Sequence, residues 1–132
     1  MTLLLLDTTF LIDAERSDAE LDSAIDDTDD VAIAAITVAE LLVGVRLASG
    51  RRRIQRQRFV DDVCDVIPIL AYDQNVASEH AELLVAVRRA GRPRGAHDLI
   101  IAATARASKR SVVSGDLSAF TDLPGVTIRD RR

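Results

Sequence analysis

Residues 3–9, Leu3-Leu4-Leu5-Leu6-Asp7-Thr8-Thr9, decide the fold. Four consecutive leucines are apolar on both faces of an extended chain, which suits a central parallel strand covered by helices on both sides. The run is far too short to cross a membrane, and no positively charged leader segment precedes it. Outward from this strand, apolar runs of strand length alternate with longer helical segments, the pattern of βα units around a parallel sheet. Further strands are expected at 31–36, 66–69, 111–113 and 126–128. Helices are expected at about 9–15, 18–25, 37–48, 51–63, 73–90 and 97–108. The chain of 132 residues has the size of a single domain spanning 1–132. Only 3% of its residues are aromatic, so the core must be built from Leu, Ile, Val and Ala. That suits helices on a sheet better than a small β-barrel.

A lone cysteine, Cys64, excludes an intramolecular disulfide and a Cys-rich zinc site, and points to a reducing, cytoplasmic setting. The net charge of −4 is unpromising for a nucleic-acid partner, but the charge is patchy. Residues 51–58 (RRRIQRQR) and 88–94 (RRAGRPR) are Arg-rich; the first run reads more readily as one solvated helix face than as an RNA platform. Arg16, Arg46, Arg92 and Arg94 could instead flank an anionic site, where guanidinium geometry suits phosphate.

Four carboxylates stand in unfavourable company. Asp7 follows the leucine strand, at the edge where open α/β sheets form their sites, although an N-cap explains it equally well. Glu40, in Thr37-Val38-Ala39-Glu40, fits a capping box. Helical spacing also sets it opposite the stripe Val38, Leu41, Leu42 and Val45, on a face shared with Thr37 and Gly44. Asp98 opens a segment, Leu99 to Ala105, that is apolar all round; a charge there is costly to bury without a cation or hydrogen bonds. Such a helix should be buried in the domain or at a subunit interface. Asp116, in Ser114-Gly115-Asp116, follows another strand, where a turn residue is the plain reading.

Parallel strands put all their carboxyl ends on one edge, so Asp7 and Asp116 should face each other there, with Glu40 and Asp98 brought in by helix starts. Close pairs of such charges repel by about 1–4 kcal/mol, a penalty that a divalent cation removes. An all-oxygen donor set selects a hard ion such as Mg²⁺ or Mn²⁺, the apparatus of phosphodiester hydrolysis. His80 and His97 are not spaced as a zinc pair and read as structural.

The segments Leu5 to Ile12, Ile36 to Leu41, Gly91-Arg92-Pro93 with Asp98 to Ala105, and Val112 to Asp116 with Phe120 together resemble the ordered motifs of PIN-domain ribonucleases. They most resemble the VapC-type toxins of toxin–antitoxin pairs. The resemblance covers essentially the whole chain. It implies a three-layer α/β/α domain with a central twisted parallel sheet of 4–5 strands, and an Mg²⁺- or Mn²⁺-dependent endoribonuclease leaving 5′-phosphate and 3′-hydroxyl ends. It also implies a homodimer held inactive by a cognate VapB-like antitoxin. Matched by position, Asp7, Glu40, Asp98 and Asp116 fall on the family's acidic quartet, Ser114 on its Ser/Thr, and Thr8 stands beside them in support. Many relatives carry Asn where this chain has Asp116, and an acid where it has Ala119, so no fifth carboxylate is expected.

Three other readings compete. An aspartyl-nucleophile phosphatase needs a second acid two residues after Asp7, where this chain has Thr9. A phospho-receiver domain needs a Lys after the last sheet strands, whereas the only Lys, Lys109, precedes Ser111. A binding module would use the four acids merely as helix caps.

Overall fold

The computed structural model describes residues 1–17 and 26–130, so the helix expected over 18–25 lies outside the described residues. Strands β1 (Leu3–Leu6), β2 (Asp30–Ala34), β3 (Ile69–Leu70), β4 (Ser111–Ser114) and β5 (Ile128–Asp130) pair in parallel throughout, in the order β3-β2-β1-β4-β5. Among the described residues the helices are α1 (Thr8–Ser17), α2 (Ala35–Leu47), α3 (Gly50–Val66), α4 (Gln74–Ala90) and α5 (Ala96–Ser108). None of them is long and apolar enough to cross a membrane.

The leucine strand is central, and its residues Leu4, Leu5 and Leu6 are fully buried, as their composition requires. Side chains alternate across a strand, so it feeds two cores. Leu5, with Ala32, Ala34 and Val112, packs against α4 and α5. Leu4 and Leu6, with Ile33 and Val113, pack against Phe10 and Leu11 of α1, Leu41 and Val45 of α2, and Val60 and Val63 of α3. The result is three layers, with α1, α2 and α3 on one face of the sheet and α4 and α5 on the other.

Strand boundaries depart from the sequence expectation for identifiable reasons. β2 ends at Ala34 instead of Ile36 because the chain turns directly into α2, and Ile36 reaches the core from the helix. Helix α3 persists to Val66, with the Ile67 N–H donating to the Val63 carbonyl. Pro68 contributes only a carbonyl, which accepts from the Ile33 N–H, and β3 follows it. The last strand begins at Ile128, two residues after the turn closed by the Val126 N–H on the Leu123 carbonyl, although the Thr127 carbonyl already accepts from the Val112 N–H.

Helix α5 finds its burial inside the chain. Leu99, Ile101, Ala102, Ala103, Thr104 and Ala105 are covered by the sheet and α4, so of the two expected alternatives the helix takes the first, burial within the domain. The large exposed apolar side chains include Val43 and Leu47 of α2 and Ile54 and Val66 of α3.

At the amino-terminal edge of the sheet, Arg110 ties two strands together. Its Nη1 donates to the carbonyls of Leu4 (3.1 Å) and Asp30 (2.7 Å), and its Nη2 pairs with the Asp30 carboxylate at 2.9 Å. Charged-donor bonds of this kind contribute about 1.5–3 kcal/mol each. Arg110→Ala should therefore lower stability by roughly 2–4 kcal/mol in urea unfolding, a far larger loss than an exposed arginine such as Arg51 would give.

Candidate active site

The strand order reverses between β1 and β4, and open α/β sheets bind ligands in the crevice at that switch point. Asp7 sits there. Its N–H donates to the Val113 carbonyl at 3.0 Å, extending the β1–β4 ladder by one residue and pinning the carboxylate beside Ser114. The capping reading of Asp7 is correct but incomplete. Oδ1 accepts the Phe10 N–H at 2.8 Å, as a cap does, while Oδ2 accepts the Ser114 hydroxyl at 2.5 Å, and the Thr9 hydroxyl lies 2.9 and 3.0 Å from the two oxygens. The residue is only 2% exposed, and among the described residues no basic side chain pairs with it. Burial pushes its carboxyl above the ordinary value; the bonds from Ser114, Phe10 and Thr9 oppose the rise, and the charge of Asp98 adds to it.

Glu40 is not part of a capping box. Helix α2 begins at Ala35, so Thr37 lies inside the first turn and is fully buried. The Thr8 hydroxyl lies 3.2 Å from Thr37 Oγ1 and donates to Glu40 Oε1 at 2.6 Å. Glu40 Oε2 meets His97 Nδ1 at 3.2 Å.

Asp98 occupies the first turn of α5, whose N-cap is Gly95 with no side-chain cap. Burial pushes its carboxyl upward, the charges of Glu40 and Asp116 push the same way, and His97 opposes them. Gly95 gives this carboxylate its room: a Cβ there would lie 2.7 Å from Asp98 Oδ2.

Asp116 is exposed at the head of the 3₁₀ turn Leu117–Ala119, and its Oδ1 accepts from the Ser118 hydroxyl. It does not face Asp7 directly. Ser114 stands between them, donating to Asp7 and accepting from the Asp116 N–H at 2.8 Å.

The structure thus brings Asp7, Glu40 and Asp116 within electrostatic reach of Asp98, with Thr8 and Ser114 bonded to two of the four. Three further residues, named in the sequence but given no part in the site, join them. Thr9 donates to Asp7 from the position where a phosphatase would need its second acid, and Thr37 lies beside Thr8. His97, expected to be structural, touches Glu40. Adjacency to Asp98 was the only sequence signal for it. Asp13 also approaches: a Cβ on Gly115 would lie 2.6 Å from its Oδ2. Of the arginines proposed to flank the edge, Arg94 is committed elsewhere, donating to the Ala119 and Thr121 carbonyls and so fixing the segment after Asp116. Arg92 pairs loosely with Asp122 at the surface, Arg46 is exposed in the last turn of α2, and Arg16 lines a neighbouring cavity.

Among the described residues no three acidic, His or Cys side chains stand in a ready-made cage for an ion. The donor set nonetheless suits one. It is all oxygen from four carboxylates, it includes a buried acid with no basic partner among the described residues, and Gly95 leaves a cradle that a Cβ would fill. Hard divalent cations match such ligands.

Fold and site define a doubly wound α/β domain with an acidic centre at the carboxyl edge of a parallel sheet. The PIN domain family model matches residues 4–125, and the chain belongs to that family. It is 33% identical to Toxin FitB of Neisseria gonorrhoeae, over 89% of this chain and 91% of that protein. It is 28% identical to the tRNA(fMet)-specific endonuclease VapC of Salmonella typhimurium, over 78% of this chain and 76% of that one. Among solved structures, VapBC-5 of Mycobacterium tuberculosis, a member of the VapBC family of toxin–antitoxin systems, superposes with a TM-score of 0.81 at 31% identity, covering 98% of this chain and 99% of that one.

Proposed function

We propose that this chain acts as a single-domain toxin of a toxin–antitoxin pair, a divalent-metal-dependent endoribonuclease of the cytoplasm whose RNA cleavage leaves 5′-phosphate and 3′-hydroxyl ends. One observation carries the reading: Asp7, Glu40 and Asp116 each lie within charge–charge range of Asp98 at the switch point of the sheet, and among the described residues no basic side chain pairs with Asp7. Helix caps alone do not account for that gathering, because neither Glu40 nor Asp98 caps its own helix. The toxin and endonuclease relatives support the same reading.

Asp7, Glu40, Asp98 and Asp116 would hold Mg²⁺ or Mn²⁺, which when bound supplies an acidified water and neutralises charge on the scissile phosphate. The protein's own part is orientation. Ser114 and Thr9 fix the Asp7 carboxylate, Thr8 and His97 hold the two oxygens of Glu40, and Ser114 ties the Asp116 backbone to the same point. Inhibition by a VapB-like antitoxin follows in the same terms, since an inserted Arg can stand in for the metal's charge. A homodimer belongs to this proposal as well.

Incubation with RNA in Mg²⁺ should yield fragments that a 5′-phosphate-dependent exonuclease degrades. Equal cleavage in excess EDTA, or 2′,3′-cyclic phosphate ends, would overturn the reading. A milder variant probes the cradle. Gly95 has φ −60° and ψ 137°, a conformation open to any residue, so Gly95→Ala should change stability by less than about 0.5 kcal/mol. Its Cβ displaces the Asp98 carboxylate, and cleavage should fall by about tenfold, the cost of a slightly misplaced group.

A further inference from the structure

Two segments that carry acids of the site are tied together by Arg94. It stands directly before Gly95, the N-cap of α5, in whose first turn Asp98 lies. Its Nη1 donates to the Ala119 carbonyl at 3.1 Å and its Nη2 to the Thr121 carbonyl at 2.6 Å. Those carbonyls close the turn that Asp116 opens: the Ala119 N–H donates to the Asp116 carbonyl, and the Phe120 and Thr121 N–H groups donate to that of Leu117. The turn is thus one hydrogen-bonded unit, with Ser114 holding its head at β4, Phe120 buried in the core and Arg94 gripping its far end. Arg92 adds a looser link between the same two segments, 3.9 Å from the Asp122 carboxylate at the surface. The planar fork of a guanidinium fixes two acceptors at once, which the single ammonium of a lysine does not.

Resting on the metal-dependent reading above, we infer that Arg94 is a positioning residue for the ion: by locking the Asp116 turn to the start of α5, it holds Asp98 and Asp116 at the spacing that a shared divalent cation requires. Both of its bonds go to backbone carbonyls, so neither carboxylate is consumed as a ligand. The charges of the two acids oppose each other, and in the metal-free protein that repulsion pushes the two segments apart. A site that is assembled only part of the time binds its ligand more weakly by that fraction. Losing the strut therefore costs affinity for the ion, although it also removes a positive charge, which by itself would strengthen cation binding. The two effects have opposite signs, and that separates a positioning role from an electrostatic one.

The test is Mn²⁺ binding, read from the electron paramagnetic resonance signal of the free ion, in the native protein and in Arg94→Gln, Arg94→Lys and Arg106→Gln. Arg94→Gln should raise the Mn²⁺ dissociation constant by about tenfold, as for a site assembled about a tenth of the time. Arg94→Lys keeps the charge without the fork and should fall between that variant and the native protein; it carries the test if Arg94→Gln does not fold. Arg106→Gln is the control. Arg106 likewise donates to a loop carbonyl, that of Pro124, and pairs with Glu79 and Glu82, but from the last turn of α5, at the opposite end from Asp98. Its loss should lower the melting temperature and leave the dissociation constant unchanged. In RNA cleavage, the Mg²⁺ concentration giving half-maximal rate should rise in the Arg94 variants while the rate at saturating Mg²⁺ stays near native. A native dissociation constant in both Arg94 variants, a tighter one in Arg94→Gln, or an equal loss in Arg106→Gln would overturn the positioning role. Native protein that holds no Mn²⁺ would instead overturn the metal-dependent reading itself.

Discussion

Asp98→Asn is expected to reduce RNA cleavage by at least about a hundredfold while leaving the metal-free protein as stable as before, or more stable by up to about 1 kcal/mol. The two effects have different origins. Asparagine keeps the shape of the side chain, which is not the cap of α5, so little packing is lost. It removes a half-buried charge that burial, Glu40 and Asp116 all disfavour. Against that relief stands the loss of a favourable charge in the first turn of a helix, about 0.3–1 kcal/mol, and so the gain is small. The stabilisation that Mg²⁺ gives the native protein should disappear in the variant, because a ligand charge has gone.

The pH dependence gives the same comparison a sign. The folded-state pKa of Asp98 is raised above its ordinary value of 3.8, so the folded protein takes up its proton at a higher pH than the unfolded chain does. The penalty for holding Asp98 ionised is therefore full at neutral pH and fades as pH falls through the raised value towards 3.8. Any stability advantage of Asp98→Asn should be largest near pH 7 and shrink on acidification. An advantage that grows on acidification would show that the charge is favourable where it sits.

Ser114→Ala should damage both fold and chemistry. The Ser114 hydroxyl donates to a carboxylate that is 2% exposed and accepts the N–H of Asp116. A hydrogen bond to a buried charged group contributes about 1.5–3 kcal/mol, and a loss of that size should appear in metal-free unfolding at neutral pH. Because the bond stabilises the ionised form of Asp7, the loss should diminish as Asp7 becomes protonated. Cleavage should fall by about a hundredfold, since one hydroxyl positions two of the four acids. A variant with normal activity would separate the β4 end from the reaction.

Much of this was legible in the sequence, through features whose cause is local. A run of Leu3 to Leu6 can only be satisfied by helices on both faces, and the acid that follows it must lie at the carboxyl edge. Asp98 at the head of an apolar helix announces its own cost. What escaped depended on contacts distant in sequence. Thr37 looked like a cap because the spacing to Glu40 is right, but the actual start of α2 is set by where β2 leaves the sheet. The Thr8 hydroxyl then reaches 32 residues along the chain to hold Glu40. His97 looked structural because its spacing from His80 fits no metal pair, and only the packing of α5 beside α2 brings it to Glu40. The apolar character of α5 left domain core and subunit interface equally open, and only the packing of α4 and the sheet over it makes it core.

The most direct test is a crystal of the protein soaked in Mn²⁺, with anomalous scattering used to locate the ion. The expected result is a peak bounded by the carboxylates of Asp7, Glu40, Asp98 and Asp116, lost in Asp98→Asn. Saturating Mn²⁺ that leaves this edge without a peak, in protein that still cleaves RNA, would contradict the assignment of these four acids as one metal centre.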